Sequence, residues 1–405
     1  TVTWRGSYAR LVSNGENLLN FTCDPRNPAN CKGRFATTGL TEGGRLANSQ
    51  FAPLVITGRK ANYGLGNRTT TDLVTSNLGV ELGEDLTLNL ITGYVNLGQQ
   101  FALDFFDGRG GPGIANAGVP PVAGFSRGGF TITNDGRHKQ FTQEIKLSGE
   151  LADGMIDFVG GLFYINEKNT TDFADIFSIS PTFALLLADR TLRNKTEAWA
   201  GYVQADINLS DAFTITAGIR YTDEEKTFNV ADNRASCNDG TVEATCLVNA
   251  NMVLAPPVVP ATLRIPTTQR AKVWTPRLAL NYRPNDDILL FASATRGFKS
   301  GGWNARGTAA GELLPFDPEK VWSYEAGIKS DLFDRKVRAN LTFFYQDTSA
   351  LQTPSAFLRA NGSLAFITQN FADYVNKGIE FELTWVPTDG LTLFLNGGYQ
   401  DDKYK

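Results

Sequence analysis

Hydrophobic and polar residues alternate with a period of two over most of this chain. Phe213, Ile215, Ala217, Ile219 and Tyr221 share one face, and Thr214, Thr216, Gly218, Arg220 and Thr222 share the other. Just before them Trp199, Val203, Ala205, Ile207 and Leu209 oppose Tyr202, Gln204, Asp206 and Asn208. Near the C-terminal end Ile379, Phe381, Leu383 and Trp385 oppose Glu380, Glu382 and Thr384, and Leu391, Leu393, Leu395 and Tyr399 oppose Thr392, Asn396 and Gln400. Side chains of a strand point alternately to its two faces, so each run predicts a β-strand with one apolar and one polar face.

Short polar turns join these runs: Gly83-Glu84-Asp85, Ala152-Asp153-Gly154, Ser210-Asp211-Ala212, Pro284-Asn285-Asp286-Asp287, Phe333-Asp334-Arg335 and Pro387-Thr388-Asp389-Gly390. Asp, Asn, Gly and Pro suit tight turns because they preset φ, tolerate positive φ or bond their own backbone. The runs themselves, such as Arg190 to Leu209, are roughly three times the 5 to 6 residues usual in a soluble sheet. A strand of about 10 residues already crosses the outer membrane. The other ends of the hairpins carry long Gly-, Asn- and Pro-rich stretches: Ser13 to Lys60, Asp104 to Asp135, Thr170 to Asp189, Ala231 to Thr267, Gly301 to Pro318 and Thr353 to Gly362. Short periplasmic turns with long extracellular loops are the polarity of an all-β, antiparallel transmembrane β-barrel, which is the fold expected here.

Composition narrows the alternatives. The 405 residues are 42% hydrophobic and 11% aromatic, too much apolar bulk for a disordered chain. No run approaches the roughly 18 apolar residues of a spanning helix. With 38 basic and 42 acidic residues the net charge is −4, and no basic stripe invites nucleic acid. A single histidine leaves little for a histidine metal site or catalytic centre, so no metal, cofactor or catalytic residue is expected. No linker or composition shift divides the chain, so residues 1–405 read as one domain. The chain opens on Thr1 without a signal peptide, which suggests a processed or truncated product.

Several segments resemble the barrel strands of TonB-dependent outer-membrane receptors, of the type found in sphingomonad-like bacteria. They are Phe141-Thr-Gln-Glu-Ile-Lys-Leu-Ser-Gly149, Phe158-Val-Gly-Gly-Leu-Phe-Tyr164, Gly218-Ile-Arg-Tyr-Thr222, Phe291-Ala-Ser-Ala-Thr-Arg-Gly-Phe-Lys-Ser-Gly-Gly-Trp-Asn304, Tyr324-Glu-Ala-Gly-Ile-Lys-Ser330 and Gly378-Ile-Glu-Phe-Glu382. The resemblance implies a barrel of about 22 strands closed around an N-terminal plug. About 13 strands are countable here, and no plug segment or coupling box is visible. The expectation is therefore a single barrel portion, incomplete at both ends, with the plug outside this chain. Open sheet edges are not tolerated in hydrocarbon, so further strands or chains are expected to close it.

Local features add less. Cys23 with Cys31, and Cys237 with Cys246, form two close couples inside long loops. Without C-x-x-C spacing or nearby histidines, loop-stapling disulfides are the better reading, each worth about 2.6 kcal/mol by loop closure. Gly108-Arg-Gly-Gly-Pro-Gly113 matches a dinucleotide fingerprint in letters alone, since prolines follow it and no helical period does. His138 shares parity with Gln140, Thr142 and Glu144, so it points into the lumen rather than to lipid. The acidic run Asp223-Glu224-Glu225 lacks EF-hand spacing and reads as solvated charge.

The polar faces carry Glu144, Lys146, Gln204, Asp206, Arg220, Arg277, Glu325, Lys329, Arg338, Glu380 and Glu382, which are expected to line the lumen. Trp199, Trp322, Tyr324, Phe343, Tyr345 and Trp385 suit interfacial girdles. Phe105, Phe106, Phe125, Phe130, Trp303 and Phe357 fall in the long loops, where they either contact a ligand or pack the loops together. The resemblance implies a transporter that takes up a scarce solute such as a siderophore, cobalamin or carbohydrate. Its partners would be outer-membrane lipid, a small-molecule or oligosaccharide substrate, and a TonB-type protein acting through the plug. The alternative is a passive porin-like channel or adhesin barrel; neither reading includes bond chemistry.

Overall fold

The computed structural model describes residues 1–15, 41–42, 45–46, 58–62, 66–104, 130–180, 183–234, 247–248, 253–254, 267–304, 315–358 and 364–405. Thirteen strands form one sheet: β1 (Val2–Gly15), β2 (Gly66–Glu81), β3 (Leu86–Asp104), β4 (Phe130–Leu151), β5 (Ile156–Ser180), β6 (Phe183–Ser210), β7 (Phe213–Asp232), β8 (Thr268–Asn285), β9 (Ile288–Lys299), β10 (Glu319–Leu332), β11 (Val337–Ser349), β12 (Tyr374–Thr388) and β13 (Leu391–Tyr404). Every neighbour in sequence is a neighbour in space and antiparallel, an up-and-down meander. Among the described residues the sheet is open: β1 pairs only with β2, and β13 only with β12.

The short turns bring the chain round through left-handed residues, including Ala152 and Asp153 at φ near 55° and Phe333, Asp334 and Arg335 at 53–62°. Directly paired residues share a face, so the strand registers extend one face across all thirteen strands. On that face an apolar zone of about ten residues per strand starts at the turns. It contains Ile145, Leu162, Val203, Ile219, Leu278, Leu290 and Phe381, each at least 39% exposed. Such exposure of large apolar side chains in one contiguous zone is the signature of a surface in lipid. The opposite face is polar over the same length.

Moving away from the turns, the outward face changes from aromatic or apolar to charged on strand after strand. Tyr8 is followed by Arg10, Phe141 by Lys139, Tyr221 by Asp223, Trp274 by Lys272, Trp322 by Lys320, Tyr345 by Asp347 and Tyr399 by Asp401. Aromatic rings prefer the boundary between hydrocarbon and headgroups, so this line marks the outer interface. The longest strand, β6, has 28 residues. At about 3.3 Å per residue it spans roughly 90 Å, far beyond an apolar band about 25 Å tall.

That overshoot corrects one expectation. Thr170 to Asp189 is not a loop: β5 and β6 continue through it as a hairpin, with register shifts at Asp175/Ile176 and Ser178/Ser180. The bulges break the period of two and hide the strands from a pattern search. In the same way Phe130 is the first residue of β4 rather than part of a loop, and Phe357 lies in a separate hairpin, Gln352–Leu358 with Leu364–Asn370.

Two glycines in the recurring strand segments have a steric reason. A Cβ on Gly327 would lie 2.4 Å from the Leu341 carbonyl oxygen and 2.7 Å from the Phe291 ring, and one on Gly378 would lie 2.6 Å from the Phe344 ring. In each case an aromatic ring from the neighbouring strand lies over the bare backbone, covering it as a side chain would. Gly327→Val should therefore cost about 1–3 kcal/mol through overpacking. Guanidinium unfolding in phospholipid vesicles measures this, and a midpoint unchanged from the wild type contradicts it.

Candidate conduit and outer mouth

The eleven residues expected to line the lumen fall on one face of the sheet, the face opposite the apolar zone. Alternation explains this: each is one residue away from a lipid-zone neighbour, as Arg277 is from Leu278. On this face Tyr202 Oη donates to Glu144 Oε1 at 2.6 Å. The Arg220 guanidinium sits 5.4 Å from the Phe163 ring centre and 5.7 Å from that of Tyr202. Thr216 Oγ1 donates to Asp206 at 2.6 Å, Asn340 donates to Glu382 at 3.1 Å, and Ser323 donates to Glu325 at 3.3 Å. Lys329 lies 5.7 Å from the Phe291 ring, and Arg338 makes a forked pair with Asp331 at 2.7 and 2.9 Å. Arg277 and Glu380 are exposed.

Further from the turns, His138 also faces this side, with Nδ1 2.6 Å from Asn169 Oδ1. Asn169 in turn donates to Glu167 at 2.5 Å. The acidic run is divided between faces: Asp223 points outward and takes a forked bond from Arg270 at 2.8 and 2.9 Å, while Glu224 points inward and accepts from Ser300 at 3.0 Å. Among the described residues no group of His, Cys, Asp or Glu is arranged to hold a metal ion.

At the mouth, side-chain amides tie the loop elements to the rim. Gln352 donates through Nε2 to the Ser300 and Asp317 carbonyls at 2.9 and 3.1 Å. Asn304 and Thr368 exchange two bonds of 2.8 and 2.7 Å, and Asn370 donates to Ala350 and Asp317. Gln269 holds the Phe316 carbonyl at 3.0 Å, and Lys226 holds that of Gly301 at 3.1 Å. Trp303 stacks on the buried Phe228 at 5.4 Å, so its ring packs a loop element on the wall. Phe105, Phe106 and Phe125, the glycine-rich stretch 108–113 and all four cysteines lie outside the described residues.

Two clusters escaped sequence reasoning. One is the amide set just described, whose members are scattered over 101 positions between Gln269 and Asn370 and follow no period. The other is Lys60, fully buried on the outward side, with Nζ 2.6 Å from Asp172 and 2.7 Å from Asp189.

A meander of long strands, apolar outside and polar inside, with short turns at one end and built loops at the other, defines an outer-membrane β-barrel. Within that class, residues 20–405 match the family described as TonB dependent receptor-like, beta-barrel, and the chain belongs to it. The pesticin receptor of Yersinia pestis is 23% identical over 274 residues, 67% of this chain and 35% of that protein. The metal-pseudopaline receptor CntO of Pseudomonas aeruginosa is 40% identical over 79 residues, 19% of this chain and 10% of that protein. Among solved structures, the ferric yersiniabactin uptake receptor FyuA of Yersinia pestis superposes with a TM-score of 0.61 at 18% identity, over 84% of this chain and 44% of its own. The ferric-catecholate import receptor Fiu of Escherichia coli K12 gives 0.60 at 15% identity, over 100% of this chain and 56% of its own. The chain thus spans about a third of the pesticin receptor and about half of the matched structures.

Proposed function

We propose that these strands form part of the wall of an energised importer that takes up a scarce metal chelate of the siderophore class. The family match over residues 20–405 carries this reading. The names of the matched relatives, receptors for metal–pseudopaline, ferric yersiniabactin and ferric catecholate, favour a chelated metal over a carbohydrate or cobalamin as cargo. In this reading the eleven inward residues hydrate the conduit and contact a plug supplied by sequence beyond these 405 residues. A TonB-type partner moves that plug at the expense of the inner-membrane proton gradient. The barrel makes and breaks no bonds in its cargo. The built mouth supports capture: side-chain amides, that of the buried Gln352 among them, tie its described loop elements to the rim, which lessens the ordering left for a solute to impose.

The test is uptake of a radioiron-labelled siderophore panel by iron-starved cells that carry or lack the gene. Gene-dependent uptake that stops on adding a protonophore is the expected result. Gene-dependent uptake that continues down its gradient with the protonophore present identifies a passive channel instead. With a substrate in hand, Lys146→Glu together with Arg277→Glu should slow uptake several-fold without changing heat-modifiable migration, because both side chains lie on the conduit face.

A further inference from the structure

We propose that the outward faces of β4, β5 and β6 bind the headgroup of an outer-leaflet lipid carrying two or more anionic groups. Lys139 on β4 is paired directly with Lys168 on β5, and Lys168 directly with Lys195 on β6. One step further from the turns, Arg137 and Arg193 flank Thr170 in the same way. Directly opposed residues on one face have Cβ atoms about 5 Å apart, and like charges so placed are destabilising. Five cations therefore crowd a patch about 10 Å wide. Glu197, hydrogen-bonded by Lys195 and by Tyr164 at 3.2 Å, joins them, with Glu225 of β7 opposed to it on the far side. Among the described residues Arg137, Lys139, Lys168 and Arg193 have no carboxylate within ion-pair distance, and all four are exposed.

Position decides what kind of anion this patch meets. All five residues have the parity of Ile145, Leu162 and Trp199, so they face lipid and not the lumen. Just below them lie Phe141, Tyr164 and Trp199, with ring centres 6.4 and 4.3 Å apart in sequence, the outer girdle of this sector. The cations are thus held at headgroup height directly above a surface built for acyl chains. On the β1 side a groove of about 500 Å³ continues the charge with Arg10, Arg68 and Arg137, where Asp72 and Asp135 are engaged by Arg10 and Arg59. A basic cluster adjoining an apolar belt is how proteins hold anionic lipids, with each cation near the surface contributing about 1 kcal/mol. A multiply charged headgroup also removes the repulsion that the three opposed lysines otherwise impose. The inference rests on the membrane orientation of the barrel and not on which solute crosses it.

The experiment compares the protein purified from outer membranes with its triple variant Lys139→Gln, Lys168→Gln, Lys195→Gln, and with Lys377→Gln, a cation already paired to Asp401 at 3.2 Å. Each is placed in phosphatidylcholine nanodiscs with or without a tenth of diphosphoryl lipid A, and bound lipid A is counted by native mass spectrometry. The triple variant should bind lipid A at least 10-fold more weakly, and K377Q should bind normally. In plain phosphatidylcholine the triple variant should be as stable as the wild type or more so, since the repulsion is gone, and lipid A should stabilise only the wild type. This stability arm separates loss of a ligand from failure to fold. Equal lipid A binding by the wild type and the triple variant overturns the proposal. Displacement of lipid A by inorganic pyrophosphate at equal concentration overturns the lipid assignment, because it makes the patch a site for free anions.

Discussion

Leu278→Arg should destabilise the barrel by about 2–4 kcal/mol in a phospholipid bilayer, whereas Arg277→Leu, one residue away, should shift stability by no more than about 0.5 kcal/mol. Leu278 lies in the middle of the outward apolar run of β8, between Trp274 and Tyr282, and is 50% exposed to what is lipid in the membrane. An arginine there must place its guanidinium in hydrocarbon or distort the bilayer around it, which sets the cost. Arg277 is exposed on the other face, paired with Gly218 of β7 and Thr295 of β9, where water solvates it. The same charge at adjacent positions thus separates the two solvents of the sheet. Guanidinium unfolding from vesicles measures both variants. Equal costs would mean that the assignment of faces is wrong, and a reversed order would mean that the sheet is inside out.

That faces could be assigned from sequence at all follows from the geometry of strands. Where the register is regular, as over Phe213 to Tyr221 of β7, alternation carries the whole assignment with no knowledge of partners. The eleven residues expected to line the lumen share one face for that reason, since along a regular strand a residue between two on the apolar face points to the opposite one. Legibility ends where the lipid does. Above the girdle both faces of a strand meet headgroups, water or loops, so hydrophobic alternation has no cause and disappears. The extension of β5 and β6 into 170–189 lies there, interrupted by bulges, and it reads as a loop although its described residues are strand-paired on either side of those bulges. The same loss of signal hid the cation rows. Lys139, Lys168 and Lys195 are 29 and 27 positions apart, and only the register sets them side by side. Trp303 shows the complementary limit: an aromatic residue in a loop could meet a ligand or a wall, and only its stacking on Phe228 shows that it packs on a wall.

Replacement of Lys60 by methionine should cost about 3–5 kcal/mol, and the loss should be local to the β5–β6 extension. The Lys60 side chain is fully buried, as is that of Asp189, while that of Asp172 is 21% exposed. The Lys60 ammonium thus bridges two carboxylates brought close by the hairpin, and the Lys60 carbonyl accepts from the buried Thr133 at 2.9 Å. Asn233 also reaches both carboxylates at 3.4 Å and Thr191 reaches Asp172 at 3.2 Å. Removing the ammonium takes its charge away from both carboxylates, one of them out of water, and an apolar side chain of similar length fills the space without restoring that charge. Adding Asp189→Asn to Lys60→Met should recover most of the loss for the same reason. Hydrogen exchange of the 170–192 amides reports the local opening directly. Unchanged protection in Lys60→Met at neutral pH would mean that the ion cluster does not hold the extension. Failure of Asp189→Asn to recover the loss would mean that the missing contact is packing rather than charge.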